Sequence, residues 1–432
     1  MPAAFCILLA LSAQESPLAT LPENASEVVV NADATAVAWV EGAHRVAING
    51  ARGEEYDSVR RLTISKVGAT VAYAAQKDGK WKVVSDTGKS PEYEEIGDIL
   101  VDSGGVAFSA KKNKAWVVVC NGFEGPKFDR VDSMALTPDG KRCAYAGRNG
   151  KTSALFIGKY RGPEFDEVKG IIFYGEGPRL AYIAVRGNQA WPVEGFLTPE
   201  STAIALVRDP GAAKSMVMVG LFDVTEPKTL KEFVQGWLDE GKTPSIEVDS
   251  SVPWTEVREV LGHCKAAGCT NVQFGPPNSR RTFETFDSLK ALAAAPDRPN
   301  TAAIGTQHGV LRVFLGGKQS QDFKSIEGLV AGPNRTLAYR ASDGDGWFVV
   351  RQFGYGQKVK MFKAIIGPVV SPDGNLVAYG ASDGNSWRIV VGNAQSDAYD
   401  QVWTPLFALD NSNVTFAARK GREIFRKVLS LK

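Results

Sequence analysis

The sequence is poor in the residues that most often carry chemistry. It holds 5 cysteines and 3 histidines in 432 residues. The cysteines are Cys6, Cys120, Cys143, Cys264 and Cys269, odd in number and without a Cys-x-x-Cys spacing. That pattern is a poor disulfide framework and a poor zinc site. Loss of Cys6 with a leader would leave four, and Cys264 and Cys269 can pair if a helix ends between them. The plainer reading is buried thiols packed as small apolar groups. His44, His263 and His308 are scattered, so no metal site and no cofactor are expected.

Charge of one sign is lacking too. Lys plus Arg is 50 and Asp plus Glu is 48, for a net charge of +2. No basic run interleaves with aromatics, which argues against nucleic acid as a partner. Beyond the N-terminus no apolar run approaches the roughly 18 residues of a membrane span. There is no nucleophile elbow, phosphate-binding loop, zinc-protease helix or dinucleotide fingerprint. Apolar content of 44% with 23% charged residues excludes wholesale disorder.

Glycine is abundant, at 44 residues, against a norm of roughly 7%. It is spread along the chain, as expected if tight turns recur. The N-terminus carries a short apolar stretch over residues 3–13, followed by Gln14-Glu15-Ser16. It is too short to span a bilayer and fits a signal-peptide core ending near Ala13, although a basic leader region is missing. A leader within residues 1–20 and a periplasmic or extracellular location are therefore expected.

The dominant signal is an internal repeat. Ala72-Tyr73 recurs as Ala107-Phe108, Ala144-Tyr145 and Ala181-Tyr182, at steps of 35, 37 and 37 residues. Ala38-Trp39 precedes these; Ala338-Tyr339, Ala378-Tyr379 and the weaker Phe416-Ala417 follow. Before the pair stands a turn, seen best as Thr137-Pro138-Asp139-Gly140 and Ser371-Pro372-Asp373-Gly374. Proline presets φ there and glycine accepts positive φ. After it comes an apolar strand, several copies of which contain Trp81, Trp116, Trp347 or Trp387. Units close on an aromatic, an acid or spacer, and Val or Ile, as in Tyr56-Asp57-Ser58-Val59, Phe128-Asp129-Arg130-Val131 and Phe165-Asp166-Glu167-Val168. Three to four strands in a unit of this length fit one propeller blade. Eight blades are expected from the eight pairs, or seven if a terminal copy is incomplete. The segment from Thr301 to Gly317 belongs either to the interrupted blade or to a separate imperfect one.

This pattern resembles the WD40-like, TolB-type propeller repeat of bacterial exported proteins. The resemblance covers about 28–185 and 309–430. It implies an all-β propeller and says little about function, since one fold hosts many.

Periodicity fails between Trp191 and about residue 308. Met216–Val219 reads as a strand, and Thr229 with Glu232 as a capping box for a first helix. Leu230, Phe233, Val234, Trp237 and Leu238 would be its apolar face. Ser245–Asp249 and Asn271–Phe274 read as strands. Between them lies a second helix whose face would be Trp254, Val257, Val260, Leu261 and Cys264, capped by Gly268. A final amphipathic segment holds Phe283, Phe286, Leu289 and Leu292. This small α/β insert is similar to the periplasmic domain of the ExbD/TolR biopolymer-transport family. The matching phrases are Pro244–Asp249, Val252–Val257 and Ala267–Phe274. That family's membrane helix has no counterpart here, so a motor role is not implied. What the resemblance implies is self-association through residues 200–300 or contact with envelope partners.

The expected organisation is a leader at 1–20, a first propeller part at 24–195, an insert at 196–300 and a second propeller part at 301–432. No catalytic, cofactor or metal residue is nominated. Asp249, Glu256 and Glu259 cluster around the second insert helix but read as solvated carboxylates. His263 and Cys264 are adjacent and point about 100° apart on a helix. Asp78, Asp139, Asp373 and Asp383 read as turn residues. The repeated Asp57, Asp129 and Asp166 read as scaffold. The expected function is a noncatalytic scaffold with a protein partner. The competing expectation is a hydrolase or lyase with its site at a propeller mouth, which needs a convergent polar set.

Overall fold

The computed structural model describes residues 14–158, 160–174, 179–196, 203–207, 214–220, 222–248, 252–270, 272–274, 286–295, 301–352 and 361–431. The described residues form nine antiparallel sheets and one mixed sheet. We number the antiparallel sheets as blades 1 to 9, spanning 25–55, 58–89, 95–124, 130–165, 167–196, 288–319, 325–351, 364–395 and 401–430. Each is an antiparallel meander, and in all but one the second strand carries the repeated Ala–aromatic pair.

Nine apolar clusters join the blades, one at each interface. Ala38, Val40, Val59 and Tyr73 join blades 1 and 2. The same holds for every later pair, ending with blades 8 and 9. Ile424 then packs with Val37, Trp39 and Ala47, so blade 9 meets blade 1 and the ring closes. The protein is a β-propeller.

The count exceeds the expected eight, and the alternative of seven, by the blade at 288–319. Its second-strand pair is Ala303-Ile304, with isoleucine where the other copies carry an aromatic. Ile304 is only 1% exposed and fills the same layer. The ring therefore resumes at Phe286, which bridges Ala190 of blade 5, and not at residue 301.

The expected amphipathic segment ending at Leu292 is strand Ser288–Ala294; Phe283 lies outside the described residues. Its register shifts between Leu289 and Ala291. Such a bulge puts residues three apart on one face, which imitates a helical period. Innermost strands of seven other blades carry a shift at the same place. Five of these bulges contain a residue of positive φ: Glu27, Arg61, Gly170, Gly328 and Gly367.

The closing aromatics explain the interfaces. Each sits edge-to-face against the second-strand aromatic of the following blade. Tyr56–Tyr73, Tyr93–Phe108, Phe128–Tyr145, Phe165–Tyr182, Phe323–Tyr339, Phe362–Tyr379 and Tyr399–Phe416 have centroids 5.8–6.3 Å apart. This geometry suits the aromatic quadrupole. Between blades 5 and 6 the pair is Phe286–Phe314 at 4.7 Å. Between blades 9 and 1 it is replaced by Leu21 against Trp39. The space is tight. A Cβ on Gly147 would lie 2.3 Å from the Phe128 ring, which accounts for a glycine inside a strand.

Strand Gln14–Thr20, placed within the expected leader, is the outermost strand of blade 9. It pairs antiparallel with Glu423–Ser430. Lys427 is 5% exposed, ion-paired to Glu15, with its ammonium near the Tyr399 and Phe425 rings. Residues 1–13 lie outside the described residues.

The insert is a mixed sheet with two helices. Its order is Phe222–Asp223, Met216–Val219, Ala203–Val207, Ser245–Val248, Gln273–Phe274, with the last two strand pairings parallel. Helix α1, Pro227–Asp239, starts before the expected capping box, so Thr229 lies inside it. Pro227 opens it, where a missing N–H costs nothing, and Glu226 is the cap residue without a side-chain bond. Helix α2, Trp254–Ala266, buries Val257, Val260 and Cys264. Trp254 does not line that face as expected: in the first turn it is 60% exposed. Gly268, at φ 92°, follows the C-cap Ala267. Asp249 and Asn271 lie outside the described residues.

Two stability predictions follow from the packing. Phe128→Ala should lower unfolding free energy by about 3–5 kcal/mol, read from urea midpoints at constant slope. Glu15→Ala strands a buried ammonium, so it should destabilise more than Lys427→Met, which removes that charge; the reverse order in thermal melts would refute this role of the ion pair.

Candidate functional site

In a four-strand meander the first-to-second and third-to-fourth turns lie on one side, here the upper face. The second-to-third hairpins and the links between blades lie on the lower face.

Acidic side chains are consumed on the lower face. The Asp57 carboxylate accepts from Asp78 N at 2.7 Å, Asp129 from Gly150 N at 2.8 Å and Asp166 from Gly187 N at 2.6 Å. Asp287 accepts from Gly309 N at 3.0 Å and Asp400 from Gly421 N at 2.6 Å. Glu94 does the same with Asn113 N at 3.0 Å. Each acid, about 21 residues before its partner, clamps the hairpin of its own following blade. Blades 7 and 8 have Lys324 and Lys363 at this position, and their hairpins cap themselves. Ser342 Oγ accepts from Gly344 N and Ser382 Oγ from Gly384 N, both at 3.1 Å. Asp383 accepts from Asn385 N and Ser386 N, and these bonds hold its carboxyl below the ordinary range.

The upper face is stapled from blade to blade. Ala32 N donates to Lys66 O at 2.9 Å, and Asn31 Nδ2 to Gly68 O. Asn121 Nδ2 donates to Gly140 O at 2.8 Å and Thr336 Oγ1 to Gly374 O at 2.8 Å. The backbones meet so closely that a Cβ on Gly105 would lie 1.8 Å from Gly140 O. Within the turns, Thr137 donates to Asp139 and Ser371 to Asp373, at 2.5 and 2.6 Å. These bonds come first among the causes that lower the pKa of both carboxyls.

Among the described residues, five large apolar side chains are exposed: Val67 at 52%, Phe123 at 83%, Trp254 at 60%, Met361 at 37% and Leu409 at 91%. Val67 and Leu409 stand in first-to-second turns of blades 2 and 9, and Phe123 follows the third-to-fourth turn of blade 3. All three are upper-face positions. The insert also leaves the ring there, after the third strand of blade 5. It does not hang free. Tyr160 of blade 4 packs against Phe222 and Phe233 of the insert, with centroids 4.9 and 5.0 Å away. One apolar cluster runs from Ala144 through Leu206 to Cys269.

The innermost strands add a sparse set of charges at their bulges. Arg61 pairs with Asp98 at 3.1 Å across blades 2 and 3, with 43% and 79% side-chain exposure. Glu27 accepts from Leu62 N at 3.3 Å. An exposed pair of this kind adds little stability.

The residues weighed from the sequence are not brought together. Glu256 accepts from Ser215 N at 2.9 Å, whereas Glu259 lies 4.0 Å from His263. Cys264 is buried apart, and burial raises its thiol to about 11. His44 Nδ1 meets the carbonyls of Tyr56 and Asp57 at 3.2 and 2.9 Å, a turn contact. His308 occupies a hairpin at φ 53°. Trp81, Trp116, Trp347 and Trp387 are half-buried and pair through the backbone with Tyr93, Phe128, Phe362 and Tyr399. Trp81 lies under the Arg60 guanidinium, 3.9 Å from its centroid. Burial in a turn pushes the Asp102 carboxyl up. The sequence did not reveal Phe123, Val67 or Leu409, because a lone apolar residue in a turn has no period to mark it.

No protein-family model matches the chain, and no curated protein does. Among solved structures it is similar to the Dos1 propeller, at 14% identity and TM-score 0.38, covering 97% of this chain and 96% of that one. It is similar to the propeller domain of the Trilobed protease from Pyrococcus furiosus, at 9% identity and TM-score 0.36, covering 78% and 96%. The WD40 domain of SCAP from fission yeast aligns at 8% identity and TM-score 0.35, covering 97% and 98%. The fold assignment rests on the sheet order and interfaces above.

The turn carboxylates give a pH prediction. Asp139 and Asp373 titrate below their ordinary value in the folded chain, so their stabilisation is complete above the unfolded pKa and is lost as pH falls through the folded one. Melting temperature should fall below about pH 4. In a Thr137→Val, Ser371→Ala variant that fall should be shallower; an unchanged slope would refute the assignment.

Proposed function

We propose that the protein is a noncatalytic, exported propeller scaffold that binds a protein partner with its upper face. The observation that carries this is the exposure of Val67, Phe123 and Leu409 on the face where the insert emerges. Solvent-exposed apolar groups of this size favour burial against a partner, each by about 1.5–3 kcal/mol when fully covered. The lower face is less suited, because its acids already bind hairpin N–H groups.

Two further observations support the finer parts of the reading. The apolar stretch at 3–13 stops just before the strand that begins at Gln14, which suits removal of a leader upstream of the ring. The strand–helix–strand–helix–strand order of residues 222–274 is compatible with the resemblance to the ExbD/TolR periplasmic domain, and with it an envelope partner. Self-association through the insert belongs to the same reading.

A photo-crosslinking residue introduced at Phe123 or Leu409 should give a discrete heteromeric adduct in the source cell. The same residue at Lys80, on the lower face, should give none. Adducts from all three positions, or from Lys80 alone, would refute the upper-face assignment. Sedimentation of the chain with residues 197–285 replaced by a short linker tests self-association; an unchanged monomer would remove it.

A further inference from the structure

All four cysteines among the described residues fall into two neighbouring pairs. Cys120 ends the third strand of blade 3, and Cys143 opens the second strand of blade 4. Cys120 packs against the buried cluster that contains Cys143, and each thiol shifts the titration of the other. The flanking turns are tied by Asn121 Nδ2 donating to Gly140 O at 2.8 Å, and both cysteines belong to the cluster between the blades. Cys264 lies in the last turn of α2 and Cys269 just beyond it. Cys269 N donates to Cys264 O at 3.1 Å, and both side chains are buried in one core. The helix ends between them, the condition for their pairing. Five cysteines in 432 residues make two such juxtapositions improbable as accidents of packing.

We propose that these are two disulfide sites: Cys120–Cys143 stapling blades 3 and 4, and Cys264–Cys269 closing the end of α2. The in-cell form of the proposal rests on the export reading, because stable disulfides belong to oxidising compartments. The chemistry requires an oxidant of the disulfide class, such as oxidised glutathione. Cys120 is partly exposed, and its neighbour Cys143 holds its thiol below the ordinary range. Its thiolate attacks the oxidant's disulfide, forming a mixed disulfide and releasing one thiolate. Cys143 then gives up its proton, attacks the Cys120 sulfur and expels the second thiolate. Two protein thiols lose two electrons and two protons; the oxidant's disulfide becomes two thiols. The same balance holds for Cys264 and Cys269.

A staple of this kind constrains the unfolded chain. The whole chain, purified, is equilibrated with a glutathione redox buffer, acid-quenched, alkylated while denatured and mapped by mass without reductant. We expect the Cys120 and Cys143 peptides joined, and the Cys264–Cys269 segment two hydrogens lighter. Reduction should lower the melting temperature by several degrees, and Cys143→Ser should abolish most of that difference. Four alkylated thiols after equilibration, or crossed linkages, would overturn the proposal. Alkylation in the intact source cell separates the two readings. Pairs that form in vitro but stay reduced in the cell retain the disulfide sites and defeat export.

Discussion

Everything in this molecule depends on one contact made repeatedly: a closing aromatic set edge-on against the second-strand aromatic of the next blade. The contact needs room, and alanine provides it. Ala38, Ala72, Ala107, Ala144, Ala181, Ala338 and Ala378 are completely buried beside those aromatics. A larger side chain there would hold the sheets apart. A smaller partner than Tyr, Phe or Trp would leave a void, and a void costs stability. The result is a set of interface cores, each shared by neighbours, so cohesion is local in the manner of a repeat protein.

The polar groups of the repeat are spent on its geometry. In six of the blades a hairpin N–H without a ladder partner is accepted by an acid about 21 residues earlier. Where lysine replaces the acid, a serine on the hairpin takes over. This division separates the two faces chemically. One is occupied with holding hairpins. The other is closed by staples from blade to blade, most of them from a side chain to a carbonyl, and carries the exposed apolar side chains.

Much of this was legible in the residues themselves. The Ala–aromatic pair located eight blades because it reports the tightest packing. It missed blade 6 because Ile304 fills the layer with an aliphatic group of different shape. The bulge in Ser288–Ala294 gives Leu289 and Leu292 a helix-like spacing, so the sequence marks an amphipathic segment there without identifying it as a strand. In the insert, the buried faces of both helices could be read, yet Trp254 was assigned inward on spacing alone. Strand Ala203–Val207 escaped notice: it is central to the mixed sheet, and a short, two-sided apolar run has no alternation. The recurrent acids were recognised as scaffold from their recurrence. The exposed turn residues were not recognised at all, because exposure is a property of the assembled ring.

The strand Gln14–Thr20 has a consequence for how the chain reaches its final state. Its partner lies about four hundred residues away, as the bond from Thr20 Oγ1 to Glu423 Oε2 shows. Every blade-to-blade contact except the last can form between segments that are near in sequence or joined across the insert. The final pairing alone must bring the two extremes of the chain together, at a loop-closure cost that grows with the logarithm of that separation. Until that pairing forms, the strands it joins leave ladder edges open. Such edges recruit other chains readily. The pairing of Gln14–Thr20 with Glu423–Ser430 is what keeps those edges from other chains.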